Sequence, residues 1–301
     1  MVGEAYGFRG AFLPVGHTSI YLDRVCADGP LMLRMCRVGE VPGVVISRFD
    51  RLEVDWLATP ISEYLYAVDD PADIRSNIDD EKVMALREAY RRQYMTKLLP
   101  GDRVSGQNRD WDDSVGASYR RRMWGYQLAT TVEQDERLVE KMNSDGNQHH
   151  YHLLRHNCAD FAAHIVNFYY PGTVKINGVA DLGFMTPKQV ARAVGKYGHA
   201  HPEAGLRVLE FPQLAGPQKR SHAARGASEL FLKSTKYLVP LAYFQPMLVV
   251  ALAVLYIDGG RWDIEHGGLG GEFEVIGPSS FAFTADVDAL TFEAGDGQLE
   301  R

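Results

Sequence analysis

The sequence predicts an α+β chain. Three observations carry this. Short β-branched and aromatic runs recur between turn residues, as strands require. Separate stretches repeat apolar residues at helical spacing behind recognisable caps. Hydrophobic residues make up 46% of the 301 positions, enough to bury a core and to exclude global disorder.

The elements follow in order. Met1 to Gly16 has no charged region leading into an apolar one, so no signal peptide is read there. Gly16–Leu22 is a strand, with His17, Thr18, Ile20 and Tyr21 in it. Residues 26–40 are an excursion that turns at Asp28-Gly29-Pro30. Gly43–Phe49 is a second strand, apolar enough to be buried on both faces. Residues 79–98 form an amphipathic helix, with Val83, Leu86, Tyr90, Tyr94 and Leu98 near helical spacing and Asp79 and Asp80 ahead of them as caps. Residues 99–116 read as loop, and 119–129 as a third strand. Thr131 caps the next helix, with Gln134 in the reciprocal position of a capping box. His150–Arg155 is a fourth strand candidate. A helix from Cys158 to Tyr169 opens behind Asn157 and closes at Pro171. Thr186-Pro187 starts another, with Thr at the cap and Pro at the first helical position.

Charge is placed unevenly. The net charge is −7, which argues against a general nucleic-acid binder. Residues 258–301 hold ten acids and two bases, so the body is close to neutral and the acidity belongs to a Gly-rich, flexible tail. Before it, residues 237–257 are uncharged. All but Pro240, Gln245 and Pro246 are apolar, and the length matches a membrane span. The proline-free part, 247–257, would also suit a buried helix, but a membrane helix is the reading adopted. Lys219, Arg220, Arg225, Lys233 and Lys236 precede it, and that bias would leave the body in the cytoplasm. The organisation expected is therefore a catalytic domain over 1–200, a linker over 201–236, a membrane helix over 237–257 and the tail over 258–301.

Three cysteines exclude a disulfide-dense scaffold. Cys26 and Cys36 lie ten residues apart and are candidates for a local disulfide; two reduced buried thiols are the alternative. Cys158 stands alone at a helix start, where unsatisfied amides and the helix dipole favour a thiolate. Its own N–H could meet a developing oxyanion, and Asn157 would cap the first turn. A strand-borne His17 could activate the thiol as base and then protonate the leaving group as acid. His149, His150, His152 and His156 cluster before Cys158, but no CxxC or HExxH pattern supports a metal, and none is expected. His164 reads as a surface or a satisfied core residue. Arg120-Arg121-Arg122 reads as a solvated edge, and Trp56, Trp111, Trp124 and Trp262 as core or interface residues.

Gly16-His17 early and Asn157-Cys158-x-x-Phe161 more than a hundred residues later resemble the circularly permuted papain-like group of the NlpC superfamily. That group includes lecithin:retinol acyltransferase-like enzymes and PPPDE-like peptidases. The resemblance covers about residues 10–170 and is nearest to an uncharacterised bacterial family. It implies a small antiparallel sheet carrying His17, packed on the helix of a nucleophilic Cys158, with no cofactor. It also implies a third polar residue on the strand beside the histidine strand. Ser47 is the polar residue there, although no carboxylate or second histidine stands in that place. The function expected is a cysteine-dependent hydrolase of a peptide or cell-wall amide, or of an ester. A membrane-associated acyltransferase acting on lipid is one alternative. A non-catalytic, membrane-anchored binding module is the other. The protein is expected at a membrane. The charge bias puts the catalytic domain in the cytoplasm, whereas the resemblance and the candidate disulfide put it in the periplasm.

Overall fold

The segment that carries His17 runs through two sheets, and the rest of the fold is arranged around it. The computed structural model describes residues 1–3, 16–41, 43–48, 54–98, 111, 114–147, 156–176, 185–215, 227–257, 262 and 273–278. The strand expected over 150–155, His149 and most of the 99–116 loop lie outside these residues.

The strands are β1 (Val2–Gly3), β2 (His17–Thr18), β3 (Ile20–Leu22), β4 (Val25–Ala27), β5 (Leu33–Met35), β6 (Val44–Ser47), β7 (Leu57–Pro60), β8 (Met123–Gln127), β9 (Arg207–Phe211) and β10 (Glu274–Val275). The helices are α1 (Ile61–Tyr66), α2 (Asp80–Tyr94), α3 (Val132–Ser144), α4 (Cys158–Tyr169), α5 (Pro187–Ala200), α6 (Ala227–Lys233), α7 (Thr235–Phe244) and α8 (Pro246–Leu255). The fold is α+β, with one sheet ordered β10-β9-β8-β1-β2, a second ordered β3-β6-β7, and a β4–β5 hairpin. Pairing is antiparallel except between β9 and β10.

Ser19 is the hinge between β2 and β3, so one extended stretch passes from the first sheet into the second. β3 pairs with β6 through Ile20↔Ile46. Continuing that register one step sets Ser47 opposite Ser19, within diagonal reach of His17. Gly43, just before β6, has φ +107°, and an added Cβ would lie 2.6 Å from the Tyr21 ring. Only glycine combines that conformation with that approach.

The helix over the second sheet is α4. Its Phe161 and Ile165 pack with Leu22, Val44, Ile46 and Trp56, and with Leu138 of α3. Each such side chain stabilises by roughly 1.5–3 kcal/mol. Small residues on another face, Ala159, Ala162 and Ala163, let Val190 and Val194 of α5 approach closely. Side chains cap the starts of α3 and α5: Thr131 and Gln134 form a complete capping box on α3, and Thr186 caps α5 ahead of Pro187.

Cys26 and Cys36 form a disulfide across the hairpin, with Cα atoms 4.9 Å apart. It closes a short loop and stabilises by about 2–4 kcal/mol.

Three boundaries differ from the sequence reading. Residues 201–236 are not simply a linker: β9 lies within them and pairs with β8 along its whole length. The tail contributes β10, which adds to β9. The apolar run 237–257 is broken at Gln245, and no helix among the described residues is long and apolar enough to cross a membrane.

A cleft of about 410 Å³ opens between α1 and α2, lined in part by Glu63, Asp69, Tyr90 and Tyr119. Glu63 is 6% exposed, and burial pushes its carboxyl up to about 8. The unfolded carboxyl titrates near 4.5, so the native state keeps a proton that the unfolded chain has lost across that window. Stability should therefore fall as pH rises from about 4.5 to about 8. Urea midpoints measured over that range should fall in the wild type and fall less in Glu63→Gln. Parallel curves would contradict this.

Candidate active site

Asn157 starts α4 and fixes the position of Cys158. Its Oδ1 accepts from the N–H groups of Ala159 (2.8 Å) and Asp160 (2.9 Å). The Asp160 carboxylate accepts in return from the Asn157 N–H at 3.2 Å, completing a capping box. The Asn157 amide nitrogen donates to the Met185 carbonyl at 3.0 Å, which ties the helix start to the segment before α5. Asn157 is thus the helix cap. Its amide nitrogen is committed to the Met185 carbonyl.

The start of α4 packs against β2. Cys158 is half-buried, and the Thr18 N–H, one residue from His17, lies close enough to its sulfur to favour the charged form. The Cys158 and Ala159 N–H groups also face the sulfur, and the Arg121 guanidinium lies close enough to favour its charge. Burial nevertheless outweighs these contributions and pushes the thiol above its ordinary value. The helix terminus does not, by itself, deliver a thiolate.

His17 lies on β2, the strand against which the start of α4 packs. Its Nε2 is 2.6 Å from the Ser47 Oγ. Ser47 is buried, and its hydroxyl donates to the Thr18 carbonyl at 3.2 Å. A hydroxyl has one proton. With that proton on the Thr18 oxygen, Ser47 accepts from an Nε2–H, and the basic nitrogen of His17 is Nδ1. Ser47 is therefore an orienting group for His17 in addition to a satisfied strand serine.

Arg121 was not anticipated. As part of a charge run it reads as a solvated edge, yet it is buried at 5% exposure. The turn before β8 explains the difference. Gly116 takes a left-handed conformation, and the N–H groups of Arg120 and Arg121 both return to the Ala117 carbonyl. Arg121 is then buried two residues ahead of β8, while Arg122 lies 3.6 Å from Glu210 and over the Trp124 ring. The three arginines lie in the turn and the two residues before β8, so no strand alternation marked which of them is buried. Arg121→Met should raise the Cys158 thiol further. Alkylation of Cys158 at pH 8 should slow several-fold relative to wild type, with the difference closing at high pH. Equal rates at all pH values would exclude Arg121 from the site.

Other candidates lie apart. Trp56, Trp111 and Trp124 are buried. His164 is exposed on α4, and His156 is exposed just before it. His150 and His152 lie outside the described residues. Among the described residues the one metal-sized grouping is Cys26, Cys36 and Glu40, whose two sulfurs are joined in the disulfide. No protein-family model, curated protein or solved structure matches the chain.

Proposed function

We propose that the protein is a cysteine-dependent hydrolase of the permuted papain-like kind, cleaving an amide of a peptide or cell wall, or an ester. The observation that carries this reading is the packing of the α4 start, with Cys158, on β2, whose His17 ring is oriented by Ser47 at 2.6 Å. His17 Nδ1 takes the thiol proton as the sulfur attacks the substrate carbonyl carbon. The oxyanion that forms is met by the Cys158 N–H at the helix start. His17 then gives its proton to the leaving amine or alcohol, and an acyl thioester remains on Cys158. Water, deprotonated by His17, attacks the thioester and releases the acid, and the proton returns to the sulfur.

A lipid acyltransferase is the second reading, favoured by the apolar surface of α7 and α8, where Tyr243, Phe244 and Met247 are exposed. In it an amine or alcohol replaces water in the last step. Both readings place the protein at a membrane through residues 237–257, and the disulfide suits an oxidising compartment.

The test is to trap the thioester. Incubation with activated acyl esters and peptide amides, followed by intact-mass analysis, should give an acyl adduct on Cys158 that hydroxylamine removes. Cys158→Ala should give none. An adduct that is absent from wild type across the panel, or equal in Cys158→Ala, would remove the acyl-transfer reading.

A further inference from the structure

We propose that α7 and α8 form a hairpin that enters one leaflet of an anionic lipid bilayer and returns to the same side. This rests on the membrane association proposed above and specifies its geometry; it is independent of catalysis.

The uncharged stretch from Tyr237 to Ile257 has the length of a span, but it does not continue as one helix. Gln245 leaves helical geometry at φ −142° and ψ 64°, and Pro246 begins α8 at its first position. Each helix has ten residues. Ten residues rise about 15 Å, half of a hydrocarbon core of about 30 Å. The two ends of the hairpin meet: Lys233, just before α7, lies 5.8 Å from the ring of Tyr256, just after α8. The chain therefore enters and leaves at one level.

The side chains are graded along the hairpin as a leaflet requires. At the turn, Tyr243 is 82% exposed, Phe244 72% and Met247 77%. Val239, Val250 and Val254 are also exposed, so apolar surface faces solvent on both helices. A helix apolar on all sides is stable in a core or in lipid, and α8 buries only Leu252. At the base stand Lys233 and Lys236, with Tyr237 and Tyr256 beside them. Tyrosine and lysine are the residues of the headgroup level, where the ammonium groups complement anionic lipid. Lys233 is also paired with Glu229 at 2.6 Å, so attraction to anionic lipid rests on Lys236; apposition to a second copy would use the apolar turn but not Lys236 and the two tyrosines.

The hairpin is held to the catalytic body. Lys188 of α5 donates to Glu229 of α6 at 2.9 Å, and both side chains are about nine-tenths buried. Since α5 packs on α4, the leaflet would lie at a fixed position relative to Cys158.

The test uses the full chain with Cys158→Ser, so the outcome does not depend on turnover. Flotation with phosphatidylcholine vesicles, with and without phosphatidylserine, reads association. A fluorophore on Phe244→Cys reads depth by spin-labelled lipid quenching. Separate Ser234→Cys and Ile257→Cys variants read sidedness with a membrane-impermeant maleimide. The expected result is flotation favoured by phosphatidylserine, a Phe244 label near mid-bilayer, and both base positions reactive from outside. Phe244→Asp, at an exposed position, should weaken flotation at least about tenfold without changing the melting temperature. Reaction of Ile257→Cys only from inside the vesicle would establish a span and overturn the hairpin, while leaving membrane association standing. Absence of flotation, whether the protein is monomeric or self-associated, would overturn both.

Discussion

His17→Ala should slow acylation of Cys158 by about 100- to 10,000-fold, the usual worth of a positioned acid and base. The expectation follows from two features of the site. Burial raises the Cys158 thiol, so little thiolate is present without a proton acceptor. The acceptor is fixed in one tautomer by the Nε2 contact to Ser47 at 2.6 Å. Ser47→Ala should cost less, since the ring stays in place on β2 but loses its orienting partner. It should lower kcat more than it raises KM, because orientation matters most in the transition state. Burst kinetics with an activated ester would measure both variants. A His17→Ala enzyme that acylates at the wild-type rate would show that the imidazole takes no part.

Arg24→Met should destabilise the domain by about 3 kcal/mol, without any change at the site itself. Arg24 donates through Nε to the Asp135 carboxylate at 2.9 Å and through Nη2 to the Thr130 carbonyl at 2.9 Å. Asp135 is 2% exposed and also accepts from the Tyr169 hydroxyl at 2.8 Å and the Thr130 hydroxyl at 3.1 Å. This network joins the loop after β3, the start of α3 and the end of α4. Removing the guanidinium leaves a buried carboxylate with hydroxyl donors only, and that desolvated charge is the source of the cost. The melting temperature should drop by roughly 6–10 °C. Adding Asp135→Asn should restore part of it, because the charge is then gone. A drop below about 2 °C, or no recovery in the double variant, would contradict the assignment.

Local signals were legible in the sequence and distant ones were not. Thr131, Asn157 and Thr186 were readable as caps because a cap is decided within three residues, and the helices begin where those residues stand. The strands around His17 and Ser47 were readable because both runs are β-branched and bounded by glycine. Ser47 could be named as a candidate, but its bond to His17 depends on the β3–β6 register, which no local pattern fixes. β9 was taken for linker because Arg207–Phe211 is only partly buried and its partner strand lies about 80 residues away. The interruption at Gln245 and Pro246 was visible in the sequence but was outweighed by the length of the apolar run, although Pro246 can start a helix more easily than it can continue one. Arg121 was missed because burial of a charged residue is set by the turn ahead of it and by the distant sulfur it faces.

The pairing of His17 with Cys158 is tested most directly by the pH dependence of Cys158 alkylation in wild type and His17→Ala. Cys26 and Cys36 stay in their disulfide, so one thiol reports. The wild-type rate should rise in the range where imidazoles lose their proton, about pH 6–7, well below the ordinary thiol range. In His17→Ala that rise should vanish and leave one inflection above the ordinary thiol range, because burial raises the Cys158 thiol. Superimposable profiles, both rising only at high pH, would contradict the dyad.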